Sequence, residues 1–202
     1  MILTGKEIAV QLALGNLKID PFDEKQLNPN SYDMRLGNKL LVYTKVVAYG
    51  QDGGLVPVEP SWAVRRDHPE TVLDVRKDNP TKTLEIPEEG IVLHPGILYL
   101  GSTAEIAGSS VFRPCMDGKS SLGRLGLNIH QTAGYGDTAF MGTWTLEISV
   151  IHPLRIYAGM RIGQISFTAV LGEVVAYAGK YQNQREPTAS RSHRDHEKTE
   201  EA

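Results

Sequence analysis

The sequence predicts an all-β domain of the antiparallel sandwich or jelly-roll kind, preceded by one short helix. Three observations lead there. Beyond the first helix the apolar residues fall in short runs, Gly, Pro and Asp turns separate those runs, and no strand pattern alternates with a helical one as a βαβ unit requires. At 202 residues, 41% of them hydrophobic, the chain can bury a sizeable core as one domain.

The helix is read from Thr4-Gly5-Lys6-Glu7, a capping box, from Ile8, Ala9, Leu12 and Ala13 at helical spacing, and from Gly15, which stops it. Strands are predicted over Lys39 to Tyr49, Thr83 to Ile86, Gly90 to Leu93, Ile97 to Ser102, Ser109 to Arg113, Gly126 to Gln131, Thr143 to Ile151, Leu154 to Tyr157, Gly163 to Val170 and Glu173 to Tyr177. The stretch Gly50 to Pro80, rich in Pro, Gly and charge, reads as an excursion from the sheet. After Gly179 the composition turns polar, basic and then acidic, which predicts a mobile tail.

Charge narrows the function. The net charge is −3, and the basic residues are scattered instead of forming a nucleic-acid stripe, so a small-molecule ligand is expected. Met1 to Lys6 lead directly into a polar helix and no apolar run approaches membrane-spanning length, so a cytoplasmic protein without membrane contact is expected. Cys115 is the single cysteine; beside Pro114 it reads as a small core residue, not a nucleophile.

The ligand class follows from Asp117-Gly118-Lys119-Ser120-Ser121-Leu122-Gly123-Arg124-Leu125-Gly126-Leu127. Small and hydroxylated residues let backbone N–H groups approach a phosphate, while Lys119 and Arg124 supply positive charge. A polyphosphate is the expected ligand. Gly118-Lys119-Ser120 is not a Walker loop, because position 113 is Arg where the first Gly belongs and no long helix follows. About one helical turn is predicted from Ser120 to Leu125, ending at Gly126. Taken alone the segment could equally be a Ser/Gly surface turn with solvated cations.

Downstream, Thr143 to Ile151 alternates, with Trp144, Leu146, Ile148 and Val150 on one face and Thr143, Thr145, Glu147 and Ser149 on the other. Glu147 is therefore either a solvated carboxylate or one that lines a cleft.

Six segments occur in order: Asn28-Pro29-Asn30-Ser31-Tyr32-Asp33-Met34-Arg35-Leu36-Gly37, the cradle at 118–127, His130-Gln131-Thr132-Ala133-Gly134, Thr145-Leu146-Glu147, Gly159-Met160-Arg161-Ile162-Gly163-Gln164, and Lys180-Tyr181-Gln182 with Gln184-Arg185. Together they resemble the dCTP deaminase branch of the dUTPase-like superfamily, over residues 1 to about 195. The resemblance implies a homotrimer of distorted jelly-roll (β-clip) subunits, active sites assembled between subunits, and zinc-free deamination of dCTP. It divides the chain into a domain over 1–179 and a C-terminal lid over 180–202 that is mobile without nucleotide.

A zinc deaminase can be tested for separately, since it needs His-Xaa-Glu and Pro-Cys-Xaa-Xaa-Cys. His68-Pro69-Glu70 and Pro114-Cys115 imitate parts of that set, but position 118 is Gly where the second Cys belongs. A protein base must then activate water, and Glu147 is the candidate.

Residue by residue, the resemblance implies that Lys119, Ser120, Ser121, Leu122, Gly123 and Arg124 bind the triphosphate. Thr132 and Ala133 would hold the water, and Asp137 would lie by the deoxyribose and phosphates. Thr145, Leu146 and Glu147 would face the base, with Gln164 and Tyr177 also at the nucleotide and Lys180 and Gln184 reaching in from the lid. Mg²⁺ is expected on the phosphates, held through nucleotide oxygens and water. Members of this family deaminate dCTP to dUTP, or go on to dUMP and diphosphate, while related dUTPases perform only the cleavage.

Gln131-Thr132-Ala133-Gly134-Tyr135 and the tail from Lys180 to Thr188 resemble the bifunctional, dUMP-forming type, in which Asp137 would orient water toward the α-phosphate. Three departures stand out: Gly136 before the Asp, Thr138-Ala139 after it, and Lys119 for the commoner Arg. They leave open a deaminase that stops at dUTP, a plain dUTPase, a dUTP or dTTP sensor on the same fold, and a taste for modified cytosines. Feedback by dTTP is implied by the resemblance alone. Ser31, Asp33 and Arg35 alternate as in a β segment and are expected to brace the interior or an interface, through a local Asp–Arg pair. His130 is expected beside the core next to the site, His152 in a turn, and His193 and His196 in solvent.

Overall fold

The structure is a computed structural model that describes residues 1–50, 54–57, 72–132 and 134–197. Helix α1 (Gly5–Ala13) begins where Thr4 Oγ1 accepts the Glu7 N–H at 3.3 Å and ends before Gly15, whose φ of 75° is left-handed. Its inward side chain, Ile8, is fully buried, a contribution of about 2 kcal/mol.

Fifteen strands follow: β1 (Leu17–Asp20), β2 (Tyr32–Arg35), β3 (Lys39–Tyr43), β4 (Val47–Tyr49), β5 (Leu55–Pro57), β6 (Thr81–Glu85), β7 (Ile91–Leu93), β8 (Tyr99–Ser102), β9 (Ile106–Ser109), β10 (Phe112–Gly118), β11 (Leu127–Asn128), β12 (Met141–Gly142), β13 (Thr145–Val150), β14 (Leu154–Ile156) and β15 (Arg161–Ala169). Two four-residue helices, α2 (Ser120–Gly123) and α3 (Arg194–Glu197), and a 3-10 turn at Glu24–Gln26 complete the described elements. Among the described residues every ladder is antiparallel, as the short alternating runs predict. The sheet β11-β13-β8-β3-β6 and the sheet β10-β15-β2 share one core, in which Leu40, Tyr99, Leu146 and Ile148 from the first meet Met34, Met116, Ile165 and Phe167 from the second. No helix among the described residues is long and apolar enough to cross a membrane.

Several predicted strands are cut or moved for local reasons. Lys39 to Tyr49 is two strands, because the Val46 N–H turns back to the Tyr43 carbonyl at 3.3 Å. Ser109 to Arg113 is also divided: Ser109 Oγ accepts the N–H groups of Val111 and Phe112 at 3.1 and 2.9 Å, a serine turn that ends β9 and starts β10. Gly126 to Gln131 shrinks to β11, because the Gln131 N–H leaves the ladder for a side chain. Glu173 to Tyr177 is not a strand; its last N–H bonds the Thr138 carbonyl at 3.0 Å. Of the excursion Gly50 to Pro80, Leu55–Pro57 pairs with β4 as β5, while 51–53 and 58–71, with His68 and Glu70, lie outside the described residues.

The expected Asp33–Arg35 pair does not form. Arg35 donates from Nε and from its backbone N–H to the fully buried Glu105, at 2.6 and 2.8 Å, and Asp33 turns to other partners. Each charge thus ties β2 to a different segment, which a pair along one strand could not do.

Candidate active site

Strand β13 carries out its alternation. Leu146, Ile148 and Val150 are buried in the core, and Thr145, Glu147 and Ser149 are half-buried on the opposite face. That second face is not bulk surface. It forms one wall of a cavity of about 490 Å³, completed by Tyr43, Leu98 and Leu100, by Gln131, Tyr135, Gly136, Asp137 and Phe140, by Trp144, and by Tyr177, Tyr181, Gln184, Thr188 and Ser190. This size suits a small organic ligand, and the apolar rings with a few convergent polar groups suit a heterocycle.

Glu147 is fixed within this cavity. Its Oε2 accepts the Gln131 N–H at 2.7 Å, and its own N–H bonds the Ile129 carbonyl at 2.9 Å. Among the described residues Oε1 accepts no hydrogen bond. The loop that supplies Gln131 is anchored to β10: Met116 N–H bonds the Gly134 carbonyl at 2.8 Å, and a Cβ on Gly134 would lie 1.7 Å from the Met116 oxygen. His130 braces the same point, with Nε2 at 3.1 Å from the Met116 carbonyl, as expected of a neighbour of the site.

The aromatic wall is interlocked. Phe140 stands edge-on to Trp144 at 5.2 Å and to Tyr177 at 5.8 Å, and the indole N–H bonds the Ala107 carbonyl at 3.2 Å. Asp137 is exposed at the rim. Burial pushes the Tyr43 phenol above the usual tyrosine range, so it stays neutral, and its oxygen accepts the Ser190 N–H at 2.9 Å.

The tail runs along the cavity beside residues 138–145. Thr143 N–H bonds the Gln184 carbonyl at 2.9 Å, Gln184 Nε2 returns to the Thr143 carbonyl at 2.7 Å, and Thr188 N–H reaches Thr145 Oγ1 at 3.2 Å. Gly142 permits this approach, since a Cβ there would sit 2.8 Å from the Gln184 oxygen. Lys180 pairs with Asp195. His193, expected in solvent, is instead half-buried.

The predicted phosphate residues lie elsewhere. Lys119 is the N-cap position of α2, and Ser120, Ser121, Gly123 and Arg124 are exposed beyond it, with Leu122 partly buried against the core. Lys119 Nζ is 2.5 Å from Asp33 Oδ1, and Gln164 Nε2 donates to the Gly118 carbonyl at 3.1 Å while its Oε1 accepts Ser31 Oγ–H at 2.8 Å. The single turn from Ser120 and its end at Gly126, with φ of 76°, match the sequence reading.

Within one chain the structure therefore gathers Glu147, Thr145, Asp137, Tyr177 and Gln184 around the cavity. Lys119, Ser120, Ser121, Leu122, Gly123, Arg124 and Gln164 do not line it, and neither does Lys180. Leu146 corrects an expectation, because its side chain is fully buried and only its backbone could meet a base. Thr132 is exposed on the loop after His130, and Ala133 lies outside the described residues. The sequence reading missed Tyr43, Gln131, Phe140, Trp144, Thr188 and Ser190. Phe140 and Trp144 flank predicted site positions closely enough to have been suspected, whereas Tyr43 is brought in only by the pairing of β3 with β8. Among the described residues no group of three His, Cys, Asp or Glu is placed to hold a metal ion.

A family model described as dCTP deaminase-like matches residues 2–170. The chain belongs to that family. A relative from Leptospira biflexa named "dCTP deaminase, dUMP-forming" is 46% identical over 98% of this chain and 99% of its own. Relatives of the same name from Clostridium beijerinckii and Cytophaga hutchinsonii are 43% and 42% identical, each over 98% of this chain and 100% of theirs. The crystal structure of a 2′-deoxycytidine 5′-triphosphate deaminase from Agrobacterium tumefaciens superposes with a TM-score of 0.56 at 24% identity, over 84% of this chain. This chain spans 48% of that one, and the likeness is one of fold. The all-β jelly-roll expectation thus holds for this member of the dCTP deaminase-like family.

Proposed function

We propose that the protein converts dCTP to dUMP, ammonia and diphosphate, with Glu147 as the base of the deamination. The observation that carries this is the Glu147 carboxylate, held at one oxygen by the Gln131 N–H and set in the wall of a ring-lined cavity. A base needs a fixed aim and a free lone pair. The near full-length relatives named as dUMP-forming support the second step.

In this reading the cytosine enters the cavity and Glu147 takes a proton from a water that attacks C4. The new C–O bond forms as the proton is handed to N3, and a second transfer to the amino group lets ammonia leave as the C4 carbonyl closes. Thr145, on the same face of β13, would orient the base, and the cavity rings Phe140, Trp144 and Tyr177 would exclude bulk water from it. The cleavage of dUTP would follow at Asp137, which aligns a second water with the α-phosphate. Mg²⁺ suits this arrangement: Asp137 offers a hard, exposed oxygen ligand that can be reached through water. The ion would screen the phosphate charge during attack.

The separation of cavity and cradle within one chain supports a trimer in which the cradle of one subunit supplies Lys119, Ser120, Ser121, Arg124 and Gln164 to the cavity of another. The tail over the cavity supports a lid role for 180–202. Incubation with dCTP and Mg²⁺, followed by resolution of products, tests the reading. Ammonia with dUMP and diphosphate is expected; ammonia with dUTP alone would assign a deaminase only, hydrolysis of dUTP with dCTP untouched a dUTPase, and tight binding without turnover a sensor.

A further inference from the structure

We propose that Arg161 is a phosphate-binding residue, a cation of the cradle alongside Lys119 and Arg124. The inference rests on the reading of residues 118–127 as a polyphosphate site and extends it to a residue on another strand.

The ladder between β10 and β15 ends at Gly118 opposite Gly163. From there β10 runs on into Lys119 and Ser120, while β15 is entered through Arg161 and Ile162, so Arg161 stands beside the start of the cradle. Their side chains meet on one carboxylate. Asp33 Oδ1 takes Lys119 Nζ at 2.5 Å and Asn28 Nδ2 at 2.7 Å, and Oδ2 takes Arg161 Nη1 at 3.4 Å.

These contacts are unequal. Asp33 is 3% exposed and already satisfied by Lys119 and Asn28, whereas Arg161 is 47% exposed and held, among the described residues, by the long contact to Asp33 and by one to the Lys25 carbonyl at 3.2 Å. A pair so exposed and so long contributes little stability. Arg161 is thus surplus to the neutralisation of Asp33. Asp117, at the end of β10, is exposed and accepts its own neighbour's N–H from Gly118 at 2.7 Å. Lys119, Arg124 and Arg161 outnumber Asp33 and Asp117, the acids that these cations and the cradle's first turn hold. A guanidinium that can swing away from a weak partner offers the planar fork that phosphate oxygens accept in pairs.

Inorganic tripolyphosphate is the probe, titrated calorimetrically into the whole protein. Arg161→Gln is expected to weaken its binding about tenfold and to raise the KM for dCTP by a similar factor, the size of one charge-assisted contact. Arg161→Lys, which keeps the charge without the fork, should fall between the two. Phenylglyoxal labelling of the unsubstituted protein gives a readout that needs no variant: tripolyphosphate should protect Arg161 from modification. Affinity of Arg161→Gln within twofold of the original, with Lys119→Gln and Arg124→Gln both weakened, would overturn the inference and leave the cradle standing, as would an Arg161 labelled at the same rate with and without the anion. Failure of the unsubstituted protein to bind tripolyphosphate would remove the cradle itself.

Discussion

The Trp144 indole fills the space that any side chain at position 136 would need. A Cβ built on Gly136 lies 2.2 Å from the Trp144 ring and 2.9 Å from the Pro114 carbonyl. The large ring opposite is the physical counterpart of the bare backbone at Gly136. The pair forms one end of the cavity wall that also holds Asp137.

Gly136→Ala should therefore destabilise the fold by about 2–3 kcal/mol, since neither ring nor backbone can move aside freely. Adding Trp144→Phe should recover part of the loss, giving a coupling of about 1–2 kcal/mol in a double-mutant cycle. Urea denaturation of the four proteins measures it, and additive effects would show that the two positions are independent.

Three tyrosines should titrate late. Burial raises the phenols of Tyr32, Tyr43 and Tyr99 above the usual value of 10.0. Below that value neither the folded nor the unfolded chain loses these protons, and their neutral burial costs nothing in linkage. Above it the unfolded chain releases protons that the folded one retains, so stability falls as pH rises from about 10 toward the folded values. Absorbance at 295 nm should show a late phase for three of the eight tyrosines. That phase should coincide with a falling Tm, and a single uniform phase near 10 would contradict it.

Removal of the chain after Gly179 should lower kcat/KM for dCTP at least tenfold, because the loss takes away Gln184, Thr188 and Ser190 from the cavity and bares its mouth to water. Steady-state kinetics of the truncated protein checks this. An unchanged kcat/KM would leave the tail without a part in the reaction.

Much of this was legible in the residues. The helix cap at Thr4, the stop at Gly15, the alternation of β13 and the one-turn helix after Lys119 all follow from short-range rules, and the structure keeps each of them. What the sequence concealed was set by distant partners. Strands β1 and β12 are short, and they exist because both pair with β9. Asp33 and Arg35 looked like one local pair, yet each reaches across the fold, to Lys119 and to Glu105. The ring of Tyr43 enters the cavity through sheet pairing that no local pattern encodes. Leu146 was drawn into the site by its neighbours in a motif, although period-two alternation already turned its side chain to the core.

Ammonia release from dCTP by Glu147→Gln tests the central claim most directly, measured beside the binding of the nucleotide to the same variant. The amide keeps the size of the side chain and an oxygen for the Gln131 N–H but cannot take a proton from water. Turnover should fall by about 10²–10⁴-fold, as expected for loss of a positioned general base. Nucleotide affinity should stay within a few-fold of the original. Ammonia release at the original rate by a variant that binds dCTP normally would contradict the account.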